Sequence, residues 1–304
     1  MTALEQQIAQ IGGRVDLHVH SKASDGTCKP EEIADEVKEK GLLFFALTDH
    51  DTYEGGMELL SKRPEEAGRF VLGIELSCKD ELGKYHILGY RFDPNNVAMM
   101  QIVEEAHDTR VFKVLNRIRI LREQFGFTFT TDEIDELMAN PNPGKPHIAN
   151  LMLKHHYAKE RGEAIGLINR CRVKSRHLTP ERAIGAITEA GGIAVLAHSY
   201  FGDGAQNLTL DEVKARVERF EPIGLQGLEC YYSRYTEQQR LQLLAFAQER
   251  GLYVTAGSDY HGSNKKVVLG DTGLMPDDTV PEGLTRFLEA VIGDAERWVH
   301  GAVH

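Results

Sequence analysis

An α/β fold on a mostly parallel sheet is predicted by two features of the sequence. Short apolar stretches of strand length alternate with charged stretches of helical spacing, and seven such apolar stretches occur in 304 residues. Seven strands suit a barrel or a strongly curved open sheet. A chain of this length can bury one large core, or one core with a small satellite domain.

The strands are expected at VDLHV (15–19), LFFALT (43–48), RFVLGIEL (69–76), YHILGY (85–90), IAVLAH (193–198), IGLQGLE (223–229) and YVTAG (253–257). After the first, PEEIADEVKEKG (30–41) places Ile33, Ala34 and Val37 on one helical face, with Pro30 near its start and Gly41 as its stop. A similar helix opens at Thr179-Pro180-Glu181 and runs to Gly191-Gly192, and TEQQRLQLLAFAQERG (236–251) is a third. Residues 97–178 carry helical patterns and no convincing strand, with a turn at NPNPGKP (140–146). They are expected to form a small helical domain that covers the active site, inserted into a barrel built from 1–96 and 179–304.

Composition narrows the function. The formal net charge is −11, a poor basis for an electrostatic surface that binds long duplex DNA. A small phosphorylated substrate remains compatible, because bound divalent cations invert the local field. The four cysteines, Cys28, Cys78, Cys171 and Cys230, form no CxxC pair, which reads as reduced, cytoplasmic usage. MTALEQQIAQ at the N-terminus has no basic region or apolar core of a secretory signal. The longest apolar run, GLLFFAL (41–47), is too short to span a membrane.

Titratable residues gather where the apolar strands end. His18 and His20, at i and i+2, face the same way, so both imidazoles can reach one cation. Asp25 follows in a Ser-Asp-Gly turn. Asp49, His50 and Asp51 come directly after the buried run LFFAL; His50 is the ligand candidate, while Asp51 or Thr52 suits a helix cap. Glu75 lies between Ile74 and Leu76, late in a core strand, where a carboxylate is costly unless it is paired or bound to metal. His86 opens the fourth strand, His198 closes the fifth, and Asp259 and His261 follow the last on one face. These nine candidates put nitrogen and oxygen donors on one rim, where barrel enzymes keep their sites. The set suits zinc, manganese or iron and exceeds the needs of one ion.

The motifs D16-L-H-V-H-S, S24-D-G, T48-D-H-D, G73-I-E, H86-I-L-G-Y, A197-H-S and S258-D-Y-H together resemble the polymerase and histidinol phosphatase (PHP) superfamily, in that family's order across 16–261. The resemblance implies a distorted seven-stranded (β/α) barrel with a trinuclear metal centre. It implies one metal on His18, His20, Glu75 and Asp259, a second on Asp25, His50 and His261, and a third on Glu75, His86 and His198. Asp25 stands where many relatives carry histidine. Glu75, His198 and His261 are the catalytic candidates. Manganese is expected to support activity best, with zinc or iron as alternatives.

The insert's G144-K-P-H-I-A resembles a narrower branch that removes the 3′-phosphate from nucleoside 3′,5′-bisphosphates, some of whose members trim short RNA from its 5′ end. The expected partners are a small nucleotide and short single-stranded RNA, with no duplex DNA and no membrane. Lys22, Lys145, His147, Arg176 and Arg234 are candidates to hold the substrate's second phosphate, with Arg172 and Lys174 as further basic residues of the insert. Tyr231 and Tyr232 follow a strand and either stack on a base or pack in the core. Two other readings compete: a phosphatase for another small phosphomonoester such as histidinol phosphate, and a metal-stabilised binding or proofreading-type module.

Overall fold

The computed structural model describes residues 6–8 and 11–292; most of the N-terminal stretch read above, and the last residues of the expected barrel segment, lie outside these. Seven strands form one sheet in chain order: β1 (Val15–Val19), β2 (Phe44–Leu47), β3 (Phe70–Lys79), β4 (Lys84–Tyr90), β5 (Ile193–Leu196), β6 (Leu225–Tyr232) and β7 (Tyr253–Gly257). β1 to β3 run parallel, as do β5 to β7, while β4 is antiparallel to both its neighbours. The last strand returns to the first: Val19 bridges Tyr260, His20 N donates to Tyr260 O at 2.9 Å and Asp259 N donates to His18 O at 2.9 Å. The sheet is therefore a nearly closed barrel, and its edges are protected from pairing with other chains.

The reversed β4 has a local cause. Only residues 80–83 connect it to β3, and a parallel return needs a crossover of a dozen residues or so. The consequence matters for the site. The start of β4 lies beside the end of β3, with His86 in register with Ser77, so His86 reaches the same rim as the ends of the parallel strands.

The helices on the outside follow the expected signals. α1 (Pro30–Glu39) buries Ile33, Ala34 and Val37 and is followed by Gly41 at φ 66°. α2 covers Glu54–Lys62. α7 (Pro180–Glu189) is capped by Thr179, whose hydroxyl accepts from Arg182 N, and α8 spans Leu210–Phe220. α9 (Glu237–Arg250) starts in a capping box, with Thr236 Oγ1 accepting from Gln239 N and Gln239 Oε1 accepting from Thr236 N. It ends at Gly251 in the left-handed region, and α10 (Glu282–Ile292) then packs on β7. Between β4 and α7 lie α3 (Val97–Phe125), α4 (Thr131–Met138), α5 (Lys145–Lys154) and α6 (Arg161–Arg170). These enclose an apolar cluster of their own around Val114, Leu121, Ile148, Met152 and Ile168, separate from the barrel's core. No helix among the described residues is long and apolar enough to cross a membrane.

Closure of the barrel sets one steric requirement. A Cβ added at Gly257 would meet His18 Cβ at 2.2 Å and Glu229 Oε1 at 2.6 Å. Only hydrogen fits where β7 presses on β1. Gly257→Ala is expected to destabilise the protein by about 1–3 kcal/mol through overpacking, read as a lower denaturant midpoint; an unchanged midpoint would show that β1 and β7 have room to separate.

Candidate metal centre

Each candidate ligand arrives on its own element. β1 carries His18 and delivers His20 just beyond its end, and the following turn carries Asp25. His50 follows β2, Glu75 sits within β3, His86 starts β4, His198 follows β5, and Asp259 and His261 follow β7. All nine come together at one end of the barrel. The backbone is forced to bring them there: Asp51, His198 and Asp259 have φ of 55°, 23° and 61°, three of the five non-glycine positive values among the described residues. Such conformations cost about 1–3 kcal/mol each and persist where surrounding contacts over-determine them.

Glu75 is the centre of the arrangement. Its Oε1 lies 3.3 Å from His18 Nε2, 2.8 Å from His86 Nδ1 and 3.0 Å from His198 Nε2. Its Oε2 lies 3.2 Å from His20 Nε2 and 2.8 Å from His50 Nδ1. To one side, Asp259 Oδ1 is 3.3 Å from His20 Nε2 and 3.7 Å from His18 Nε2. To the other, Asp25 Oδ1 is 3.2 Å from His261 Nε2 and 3.9 Å from His50 Nε2. Burial opposes the charged form of all three carboxylates, but the adjacent imidazoles, and Lys265 at Asp259, hold them well below the usual range. His20 is pushed down to about 4, first by burial and then by His261 and His50.

The hydrogen bonding does not close without a further partner. His18 Nε2, both ring nitrogens of His20, Asp25 Oδ1, His50 Nδ1, Glu75 Oε2, His198 Nδ1 and His261 Nε2 are buried atoms with no hydrogen-bond partner. Each would cost about 1–3 kcal/mol, and together they would rival the whole stability of an ordinary domain, about 5–15 kcal/mol. Donor atoms 2.8 Å apart that lack hydrogen-bond geometry, as at His50 Nδ1 and Glu75 Oε2, are what a shared cation would satisfy. Four groups of these residues bring ligand atoms within 4.8 Å of one another: His20, Asp25, His50 and His261; His18, His20 and Asp259; His18, Glu75 and His198; His50, Glu75 and His86. Six imidazoles and three carboxylates, with no thiolate, fit a borderline or hard divalent ion.

A second ring of residues supports the first, and only part of it was singled out from the sequence. Buried Glu229, on β6, bonds His18 Nδ1 through Oε1 at 2.8 Å and accepts His198 N through Oε2 at 2.6 Å. Asp16 accepts from Ser258 Oγ at 2.6 Å, Ser258 N, His18 N and Gly270 N, tying β1 to the loop after β7. Burial still pushes Asp16 up to about 6. Asp49 accepts from Ser21 N, Ser21 Oγ and Ser24 Oγ, fixing the turn that carries Asp25. Tyr232 Oη and Lys265 Nζ donate to Asp259 Oδ2 at 3.0 and 2.6 Å. Glu229 ends an apolar stretch just as Glu75 interrupts one, so the same signal marks both.

The basic residues are sorted differently from the sequence expectation. Lys145 is half-buried, donates to Asn169 Oδ1 at 2.7 Å, and is pushed down to about 8 by burial and by Arg117 and Lys84. His147 Nδ1 accepts from Gly144 N at 3.0 Å, and its ring feels the charge of Asp25. Lys22, Arg172, Lys174 and Arg176 are exposed, and Arg176 acts on Glu105. Arg234 lies over the Phe201 ring at 4.3 Å and donates to Gly204 O. Tyr231 and Tyr232 are buried and pack in the core, Tyr232 with its hydroxyl on Asp259. A further basic face lies on α3. Arg110 donates to Asp51 Oδ2 at 2.6 Å and to Ser77 Oγ at 3.1 Å, beside two ligand-bearing segments. Lys113 is pushed down to about 8 by burial and by Arg110 and Arg117, and Arg117 has a buried Nε with no partner. Their spacing of i, i+3 and i+7 puts all three on one helical face.

Comparison with known proteins agrees with this geometry. The PHP domain family matches residues 16–190. A 5′-3′ exoribonuclease of Haemophilus influenzae is 28% identical over 275 residues, covering 88% of this chain and 97% of that protein. A 3′,5′-nucleoside bisphosphate phosphatase of Chromobacterium violaceum is 26% identical over 260 residues, covering 81% of this chain and 87% of that protein. A solved structure from Bifidobacterium adolescentis superposes with a TM-score of 0.76 at 28% identity, covering 90% of this chain and 96% of the other. With six histidines and three carboxylates gathered at one end of a seven-stranded barrel, and a family match over more than half its length, the chain belongs to the PHP domain family.

Proposed function

We propose that this hydrolase removes the 3′-phosphate from nucleoside 3′,5′-bisphosphates, giving a nucleoside 5′-monophosphate and phosphate. The observation that carries the reading is the half-buried basic face of Lys113, Lys145 and Arg117 on helices 97–178, next to the rim that Glu75 centres. Unneutralised cations held partly out of water favour a phosphate beside the one being transferred. The likeness to the bisphosphate phosphatase of Chromobacterium violaceum supports the same choice.

In this reading His18, His20, Glu75 and Asp259 would hold one divalent ion, Asp25, His50 and His261 a second, and Glu75, His86 and His198 a third. Manganese suits the assay, and zinc or iron also fit the donor set. Such ions lower the pKa of a nucleophilic water and offset charge on the phosphoryl oxygens. The chain's own residues do the rest. Glu75, His198 and His261 keep the reacting end fixed, the helices of 97–178 act as a small inserted domain over the rim, and Lys113 and Lys145 grip the second phosphate. Remote binding of that kind can be spent on orienting the reacting group. A short RNA could present its 5′-phosphate to the same cations, in line with the likeness to the Haemophilus influenzae exoribonuclease. A net charge of −11 disfavours binding along a long polyanion, which favours short single strands for that activity.

Two outcomes are expected. Glu75→Gln removes the carboxylate that would serve two ions and should lower kcat by about a hundredfold or more, at least as much as the loss of an outer supporting residue, while far-UV circular dichroism stays unchanged; near-wild-type turnover with full metal content would show that Glu75 is not shared. Adenosine 3′,5′-bisphosphate should exceed adenosine 3′-monophosphate in kcat/KM by about tenfold or more, since one good ionic contact contributes about 1.5–3 kcal/mol. Because Lys113 and Lys145 have been pushed down to about 8, they carry charge below that pH and lose it above. The advantage should therefore shrink as pH rises through about 8, and the double change Lys113→Gln, Lys145→Gln should erase most of it at pH 7. Equal efficiency on both nucleotides, or on histidinol phosphate, would sink the reading.

A further inference from the structure

We infer that Glu229 is a positioning residue for the metal centre: one buried carboxylate sets both the proton position on His18 and the backbone placement of His198. The inference rests on the reading that the cluster holds divalent ions.

Glu229 lies on β6, which pairs with β5, the strand leading to His198, and with β7, the strand that closes onto His18 of β1; its side chain is fully out of solvent. Both oxygens are used, Oε1 by His18 Nδ1 at 2.8 Å and Oε2 by His198 N at 2.6 Å. An ionised carboxylate only accepts, so the bond to His18 requires the hydrogen on Nδ1. Nε2 is then the ring nitrogen turned to Glu75 Oε1, 3.3 Å away; it is one of the buried atoms without a hydrogen-bond partner and is the atom that would meet a cation. The ring's two ends thus have opposite tasks, one fixed by Glu229 and the other free to bind a cation. His20, by contrast, has no hydrogen-bond partner on either ring nitrogen and is oriented by stacking on His261 at 4.0 Å.

The second contact acts through the main chain. His198 has φ of 23°, a strained value for a residue with a Cβ, and Oε2 of Glu229 holds its N–H. From there His198 Nε2 reaches Glu75 Oε1 at 3.0 Å. The His18 and His198 rings stack 5.7 Å apart at 24°, clasped between Glu229 on one side and Glu75 on the other. Two histidines that approach the same oxygen of Glu75 are therefore placed by the same oxygen pair of Glu229. β6 contributes no ligand, yet it controls two.

The sharpest variant is Glu229→Gln, which keeps the shape but offers one acceptor and one NH2. Turned one way, the NH2 faces His18 Nδ1 and demands the opposite tautomer, with hydrogen on Nε2 where the cation belongs. Turned the other way, it confronts the N–H of His198, donor against donor. Either way Mn2+ affinity, measured by calorimetry on metal-depleted protein, should fall about 10- to 100-fold at one or more sites. Glu229→Asp, which keeps an acceptor-only group, should lose less than Glu229→Gln. Unchanged Mn2+ affinity in folded Glu229→Gln would overturn the inference. A neutron diffraction map of the wild-type protein decides the matter if the glutamine variant fails to fold: deuterium on Nδ1 of His18 is expected, and deuterium on Nε2 alone would overturn it. Wild-type protein that binds no Mn2+, Zn2+ or Fe2+ would instead defeat the metal reading itself, and the same map would still show whether Glu229 sets the His18 tautomer.

Discussion

A single carboxylate with five imidazoles around its two oxygens is the constraint on which the rest of this structure depends. Glu75 is fully buried, and His18, His20, His50, His86 and His198 all lie within 3.3 Å of it. No apolar core tolerates such a group unsupported. The barrel's tasks are then to bring five further strand ends to β3 and to keep the rings from turning away. The strained backbone at Asp51, His198 and Asp259, the absence of a side chain at Gly257, and the outer acceptors Asp16, Asp49 and Glu229 all act toward that end. Left without a partner these features would be liabilities. A divalent ion would turn them into a preorganised site, so that the fold and the chemistry share one set of interactions.

The helical segment after β4 is tied to this centre at a specific point. Arg110 on α3 reaches Asp51 and Ser77, which flank the ligands His50 and Glu75. The bond also occupies Asp51, whose other oxygen accepts from Ser77 N at 2.6 Å. Position and charge are thereby coupled: the arginine that docks the helix also starts the basic face. An acidic protein can in this way present a local positive surface without becoming a general polyanion binder.

Much of the site was legible in the sequence because it breaks a physical rule. His18, Glu75 and Asp259 sit within or directly after runs that belong in a core, and polar residues there need a reason. β1 and β7 were read to the residue for the same cause: their apolar stretches are short and sharply bounded. The direction of β4 was not read. The stretch Ser77-Cys78-Lys79 looks like a loop, which hides how short the turn to β4 is and so hides that the two strands form a hairpin. Glu229 carried the same signal as Glu75 but sits on β6, which brings no candidate ligand of its own, and the sequence does not state which strands are neighbours. Arg110, Lys113 and Arg117 read as an ordinary solvated helix face; only burial, which arises from packing against the barrel and α5, separates them from Arg172 and Arg176.

A multinuclear centre organised by Glu75 can be tested in the metal content of the protein. Elemental analysis of the active protein, purified without chelator and compared with its concentration, tests it most directly. Two to three divalent ions per chain are expected, because nine candidate ligands sharing one rim exceed what a single ion can use. One ion or fewer in a fully active sample would contradict it.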